Sequence, residues 1–347
     1  MIRQLHRLLR PVPAFGPDVL AVAIYAHPDG LEFHLPPAAE SGYEGVACVD
    51  DAARAALLYT EAYRRYRFPW ARDAAEGLLR FTCAMQLEGG AFVNFIAGWD
   101  GGRQLDTPTS RPGGGPWQAR AMHALARAVA VLGPGPYSAA FESGAPMLAK
   151  PTPYLDTRAL SAIAMLEYWQ ATAEPSAVAS AVAWAEEIAA AVVGDVLPDR
   201  VGSSEVHLWG HLQEAALARI GAACGRGDLV RIAARSAEAV LEPAVVSAFA
   251  GPRSLAFDVS CTIAGLDAVA TATGEGRYTG LASLARAWFD GRNSAGSAVY
   301  DRERGLVRDG IDGAQVNQNS GAESNIEGGA GPPRNATVGR NRCRDCG

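Results

Sequence analysis

From residue 52 onward the chain alternates apolar segments of helical period with short breaks. "AARAALLYTEAYRRY" (52–66) and "WARDAAEGLLRFTCAMQ" (70–86) come first, with Pro69 between them. "WQARAMHALARAVAVL" (117–132) follows, with a weaker partner near 137–149. Then come 154–172 with 176–193, 207–224 with 228–241, and 258–273 with 278–292; one more segment starts at 319–328. Apolar residues three and four apart mark helices, and Gly, Pro or Asp bound each segment. Several segments are apolar on more than one face, as a helix buried on both sides would be. The repeating unit is a hairpin of about 40–50 residues, a length typical of helical arrays. The breaks inside hairpins are short, whereas those at 87–116, 194–206 and 293–318 are long. Long loops gathered on one rim usually build a site. Two layers of helices closed into a toroid are therefore expected, rather than an open solenoid. Two stretches leave the helical pattern. "VLAVAIYAHPDGLEFHL" (19–35) reads as a β-hairpin turning at Pro28-Asp29-Gly30, and 297–310 as another turning near Arg304-Gly305.

Composition narrows the function classes. The 347 residues are 49% hydrophobic and 20% charged, with a net charge of −6, so there is no electrostatic footprint for nucleic acid. No apolar run is long enough for a membrane span. The N-terminus has basic residues but no adequate apolar stretch for a secretory signal, so a cytoplasmic protein is expected. Cys48, Cys83, Cys224 and Cys261 lie among apolar neighbours and read as reduced core residues. Cys343 and Cys346 form a lone C-x-x-C, too little for zinc or redox chemistry. No metal and no cofactor is expected.

Four polar clusters interrupt the pattern. In "GYEGVACVDDAARAALL" (42–58), Asp50 and Asp51 stand at a helix start, where one can serve as N-cap. The other, with Arg54 a turn on, is then free for acid–base work or a hydroxyl contact. The Gly-rich stretch 94–120 carries Trp99, Asp100 and Arg120, and a Trp beside polar groups suits a sugar ring with an apolar face and polar edges. In "SSEVHLWGHLQEAAL" (203–217), His207 and His211 are four apart, as are Trp209 and Gln213, with Glu214 beyond them. Leu208 breaks the H-E-x-x-H zinc pattern, so a polar rim patch is the expectation. In "VNQNSGAESNIEGG" (316–329), Ser320 and Glu323 match a capping box. That leaves Asn319 and Glu327 over, and Glu323 and Glu327 repel on one helix face unless something compensates.

Taken in order, "VDDAARAALL" (49–58), "NFIAGWDG" (94–101) with Arg120 and "HALA" (123–126), and "YDRERGLVRDG…VNQNSGAESNIEG" (300–328) resemble a bacterial family of six-hairpin glycosidase-like domains associated with glycosyltransferases. The resemblance covers most of residues 40–328 and implies an all-α fold, an (α/α)6 toroid with a carbohydrate-facing rim. It also implies a possible glycosyltransferase partner. The chain departs from the family at "TSRPGGGPWQAR" (109–120), where relatives have an acidic motif, and at the C-terminus. There a hydrophobic helix is replaced by "AGPPRNATVGRNRCRDCG" (330–347), which reads as a frameshifted or misjoined end. The expected organisation is an N-terminal extension at 1–40, a toroid at 41–329 that is incomplete at its C-terminus and carries small β-hairpin insertions, and an irregular tail at 330–347.

In a closed toroid the first and last hairpins are neighbours, so "VDDAAR" and the polar run at 316–327 would share a rim. A pair of carboxylates there is the minimum machinery of glycoside hydrolysis. Asp51 and Glu323 are the expected pair, with Asp50 in reserve. Arg54, Trp99, Asp100, Arg120, Trp209, His211, Gln213, Glu214 and Asn319 are the expected sugar-binding residues. The expected function is a carbohydrate-active enzyme of glycoside hydrolase type acting on an oligo- or polysaccharide. One alternative is a noncatalytic glycan-binding or scaffold domain working with a glycosyltransferase. The other is a polysaccharide lyase with Tyr43 or His211 as base.

Overall fold

The computed structural model describes residues 3–38 and 42–330. The tail beyond Ala330, with Cys343, Cys346 and the proposed misjoined end, lies outside the described residues. After a short α1 (Arg3–Leu8), the helices come in hairpins: α2 (Val49–Tyr66) with α3 (Pro69–Ala84), α4 (Gly115–Leu132) with α5 (Gly135–Leu148), and α6 (Leu155–Thr172) with α7 (Pro175–Ala190). Next are α8 (Gln213–Cys224) with α9 (Gly227–Ser236), and α10 (Ala256–Thr273) with α11 (Gly276–Arg286). A last helix, α12 (Ala322–Ala330), ends the described chain. The first member of each hairpin packs against the next: α2 on α4, α4 on α6, α6 on α8, α8 on α10 and α10 on α12. α12 then packs on α2, which closes an inner ring of six. The second members form the outer layer.

The local chemistry explains this arrangement. Inner helices are enclosed by two layers, so their side chains must be small on several faces. Ala52, Ala53, Ala55 and Ala56 of α2 are all fully buried. The five turns inside hairpins are two residues each, and each opens on a positive φ: Arg67, Gly133, Ala173, Gly225 and Gly274. That positive-φ residue, left-handed in all but Gly133, ends one helix, and Pro69 or Pro175 at the next N-terminus starts another with its φ already set. All inner helices therefore run the same way, with every long loop on the rim of their N-termini.

Three expectations change in the structure. First, the expected hairpin at 19–35 divides. β2 (Leu20–Val22) pairs antiparallel with β1 (Leu9–Pro11), while β3 (His27–Asp29) pairs with β4 (Glu32–His34) about a turn at Gly30 and Leu31. The stretch between is tied to α12 instead: Ile24 O accepts from Ala322 N at 2.9 Å and Ala26 O from Ser320 N at 3.1 Å. Second, the inner layer is complete within the described residues. The inner ring closes, α1 packs against α12, and no outer helix follows α12 among the described residues. Third, the segment 207–212 is not helical, because Gly210 takes φ 77° and α8 begins only at Gln213. The second expected hairpin forms as β7 (Tyr300–Asp301) and β8 (Leu306–Val307), turning at Arg304 and Gly305. Among the described residues no helix is long and apolar enough to cross a membrane.

Candidate active site

The start of α2 is built so that neither aspartate is spent on capping. β5 (Ala47–Cys48) pairs with β6 (Phe95–Ile96) and delivers Cys48 to the N-cap position. The Cys48 Sγ accepts from Asp51 N at 3.4 Å, and Asn94 Oδ1 accepts from Asp50 N at 3.1 Å. The expectation that one aspartate is the N-cap is thus overturned, since two other side chains satisfy the helix donors. Both carboxylates turn to Arg54, one turn along. Its Nη2 lies 2.6 Å from Asp51 Oδ1 and 2.9 Å from Asp50 Oδ1. Arg120 of α4 also grips Asp50.

Ring closure brings α12 to the same guanidinium. Arg54 Nη1 donates to Glu327 Oε1 at 2.8 Å, and Nη2 lies 3.8 Å from Glu323 Oε2. Arg54 is therefore what compensates the two glutamates on one helix face. The capping box does not form: Ser320 donates its hydroxyl to Val307 O at 2.8 Å, and Asn325 holds the surrounding backbone. Glu323, released from that role, accepts from Trp209 Nε1 at 3.1 Å. From α10, Ser260 Oγ donates to Glu327 Oε2 at 2.6 Å. Phe257 lies under both guanidiniums, 4.8 Å from Arg54 and 5.0 Å from Arg120, with the Trp209 ring edge-on at 5.2 Å.

Burial divides the carboxylates. Glu323 is 38% exposed, whereas Asp51 is 5% and Glu327 is 8% exposed in their side chains. Burial pushes Asp51 up to about 7, with Asp50 and Glu323 adding to the shift and Arg54 opposing it. Burial also works to raise Asp50, but Arg120 and Arg54 outweigh it and hold that carboxyl below its usual range. Two adjacent aspartates thus have proton affinities driven apart, a pattern of acid–base sites. Burial raises Asp258 and Asp309 too, and Glu323 adds to both.

The other expected residues fall into two groups. His211 is fully buried between Asp199 at 3.0 Å and Glu214 at 2.9 Å, so it is a clamp within the loop before α8. Burial alone would lower its basicity, but Glu214 and Asp199 carry it up to about 10. Glu214 also accepts from Ser236 at 2.6 Å, and Gln213 donates to Pro198 O at 3.1 Å. These buried groups fix the loop that presents Trp209, which is 41% exposed. Trp99 and Asp100 stand elsewhere, in the turn Ala97–Gly102. There Asp100 accepts from Gly102 N at 3.3 Å and Gly101 leans on Ala14 and Phe15. Asn319 sits in the loop before α12, its carbonyl accepting from Asp309 N at 2.9 Å.

The fold is an (α/α)6 toroid. It is shared with a D-mannose isomerase at 13% identity, a TM-score of 0.66, and coverage of 92% of this chain and 93% of that one. A family 76 glycoside hydrolase from a bovine Bacteroides thetaiotaomicron strain matches at 12% identity and TM-score 0.65, over 91% of this chain and 72% of that one. The cellobiose 2-epimerase from Spirochaeta thermophila matches at 13% identity and TM-score 0.62, over 82% and 84%. At these identities the likeness is one of fold. No family model matches the sequence, and no curated protein does.

Sequence reasoning missed several members of this rim. Ser260 lay inside the apolar helical pattern 258–273 and Phe257 just before it, with nothing to mark either. Asp199 sat in a loop without a motif, and Asp309 in the quoted stretch 300–310 with nothing to single it out. Tyr25 is stacked on Tyr43 at 3.5 Å, near Cys48 and Asp51, and burial pushes its hydroxyl up to about 12. Tyr43, the lyase base considered above, shares its hydroxyl with His27 Nε2 at 3.2 Å.

Proposed function

We propose that this protein is a carbohydrate-active enzyme that cleaves a glycosidic bond with Asp51 as proton donor and Glu323 as the carboxylate that meets the sugar. The observation that carries the reading is the pairing of these two groups on one Arg54 nitrogen, with Asp51 pushed up to about 7. An acid of that strength still holds its proton near neutral pH and can give it to a leaving oxygen. Glu323, the most exposed of the four Arg54 partners, takes the other role. Asp51 Oδ1 and Glu323 Oε2, which share that nitrogen, are no farther apart than the sum of 2.6 and 3.8 Å. The two carboxyls therefore face a common nitrogen, and whether they act with retention or inversion is read from the anomer first formed. Trp209, with its ring half in solvent and its Nε1 on Glu323, is the natural platform for a sugar face. Arg54 and Arg120 are already matched by carboxylates, which weighs against a lyase that must neutralise a uronate. A glycosyltransferase partner rests on the sequence resemblance alone.

A second reading, sugar isomerisation or epimerisation, is favoured by the near end-to-end match to the D-mannose isomerase and by an Asp51 able to take and return a proton near neutral pH. One experiment separates the two. Wild type, Asp51→Asn and Glu323→Gln are incubated with a panel of mono- and oligosaccharides in heavy water and followed by proton NMR. Hydrolysis gives a new reducing end whose first-formed anomer reports retention or inversion. Isomerisation gives deuterium at carbon without bond cleavage. Thermal stabilisation by a sugar with neither signal would overturn both in favour of a binding domain.

A further inference from the structure

We propose that the turn between α2 and α3 is a docking edge for an anionic lipid surface. The sequence there is "YRRYRFPWAR" (63–72), and residues 64–70 are all exposed. Tyr66, Phe68 and Trp70 are 57%, 45% and 42% exposed, large fractions for three neighbouring aromatic rings. They form one row, with Tyr66 and Phe68 centroids 5.5 Å apart and Phe68 and Trp70 5.6 Å apart. Arg64 pairs with Glu61 and Arg72 with Glu76, but Arg65 and Arg67 have no carboxylate within 4.0 Å among the described residues. Exposed His6 and Arg7 of α1 extend the basic face, the His6 ring lying 6.1 Å from Trp70. The other four hairpin turns of this rim carry no exposed row of aromatic rings and no such cluster of arginines: Tyr137 and Tyr278 beside them are buried and Trp169 is half-buried. The feature therefore belongs to this turn and not to the architecture.

The geometry selects the occupant. A single-stranded nucleic acid or a sugar needs an open ring face to stack on. Here the inner faces are covered by one another, Arg65 lies over Tyr66, and Tyr59 and His6 meet Trp70 edge-on. What remains outward is a row of ring edges flanked by cations, the composition that settles at the headgroup level of a bilayer. A second copy of this chain would set Arg65 and Arg67 against their own equivalents. The turn is also preorganised, because Arg67 is fixed at φ 56° and Pro69 follows. The whole chain carries −6, so a basic end orients it on an anionic surface. α2 spans about 27 Å at 1.5 Å per residue, so the Asp51 end would face away from the lipid.

The test is co-sedimentation with phosphatidylcholine vesicles, with and without one-third phosphatidylglycerol, at low and high salt. Wild type should sediment with the anionic vesicles only, and less at high salt. Removing both cations in Arg65→Ala/Arg67→Ala should weaken partitioning about 25-fold, at about 1 kcal/mol per arginine near the surface. Tyr66→Ser/Phe68→Ser, which spares the partly packed Trp70, should weaken it with charge intact. Unchanged melting temperatures establish that the variants are folded. No sedimentation of wild type, equal sedimentation of the variants, or retention instead on a single-stranded oligonucleotide would each overturn the proposal.

Discussion

Arg54→Met tests the claim that one guanidinium holds the rim together. Methionine keeps the length of the stem and removes the charge. In the native protein the guanidinium touches Asp50, Asp51 and Glu327 at 2.6–2.9 Å and stands 3.8 Å from Glu323. Asp50 would keep Arg120, and Glu327 would keep the Ser260 hydroxyl. Asp51, only 5% exposed, would have no cation left in contact. Breaking a buried pair on one side costs about 3–5 kcal/mol. With an unfolding entropy of about 2.1 cal/mol/K per residue over 347 residues, the melting temperature should fall by roughly 4–7 °C at pH 7.5. At pH 5 the stranded carboxyls take up protons, so the deficit should shrink. Glu323→Gln is the control, because its exposed contact should be worth about 1 kcal/mol or less. Circular dichroism melts of the three proteins at both pH values decide the matter. An Arg54→Met deficit under 1 kcal/mol, or one that is the same at pH 5 and 7.5, would refute the reasoning.

Three further outcomes follow from the same geometry. Asp51 is raised from the ordinary carboxyl range to about 7, so its folded form keeps a proton that the unfolded chain has released. Its contribution to stability is therefore greatest below about pH 4 and is lost as pH rises through about 7; Asp51→Asn should flatten that slope between pH 5 and 7.5 in denaturant titrations. His211, raised to about 10, gives stability that is fully present below about pH 6.5 and is lost as pH rises through about 10. His211→Gln should therefore cost about 3–5 kcal/mol at pH 6 and much less at pH 10. Trp209→Phe keeps a ring on Phe257 but removes the donor to Glu323. It should leave the melting temperature within about 1 °C while lowering turnover of whichever sugar the wild type accepts. Equal loss of stability and turnover would contradict that division.

The helical hairpins were legible because a buried helix writes its period in three or four consecutive turns, as 117–132 and 258–273 do. The two-residue turns were legible from Gly133, Gly225 and Gly274, although Arg67 and Ala173 reach the left-handed conformation of Gly225 and Gly274 without glycine. What failed were places where one local signal had a competitor. Ser320 and Glu323 have the spacing of a capping box, but Val307 O offers Ser320 a buried acceptor and Trp209 offers Glu323 a donor. Likewise His207 and His211 have helical spacing, yet Gly210 turns the chain and the buried carboxylates Asp199 and Glu214 capture His211. Loop residues such as Trp99 and Asp100 looked like sugar contacts by type alone. The turn that holds them also sets Gly101 against Ala14 and Phe15.

The partner of Glu327 was beyond any sequence window, since Arg54 lies 273 positions away. That separation has a consequence for how the site forms. α12 joins the ring through Arg54 on α2 and Ser260 on α10, and both contacts end on the one Glu327 carboxylate. If ring closure and site assembly are one event, Ser260 and Glu327 should behave as a unit. Ser260→Ala leaves a buried carboxylate oxygen short of a donor, and Glu327→Gln strands part of the Arg54 charge. Each single change is expected to cost about 1–3 kcal/mol. Once either is made, the second removes a bond already broken, so the double variant should fall short of the sum by about 0.5–3 kcal/mol. The same non-additivity should appear in sugar turnover, because Glu323 rides on the same helix turn. Additive stability effects with turnover untouched would mean that α12 docks independently of the rim chemistry.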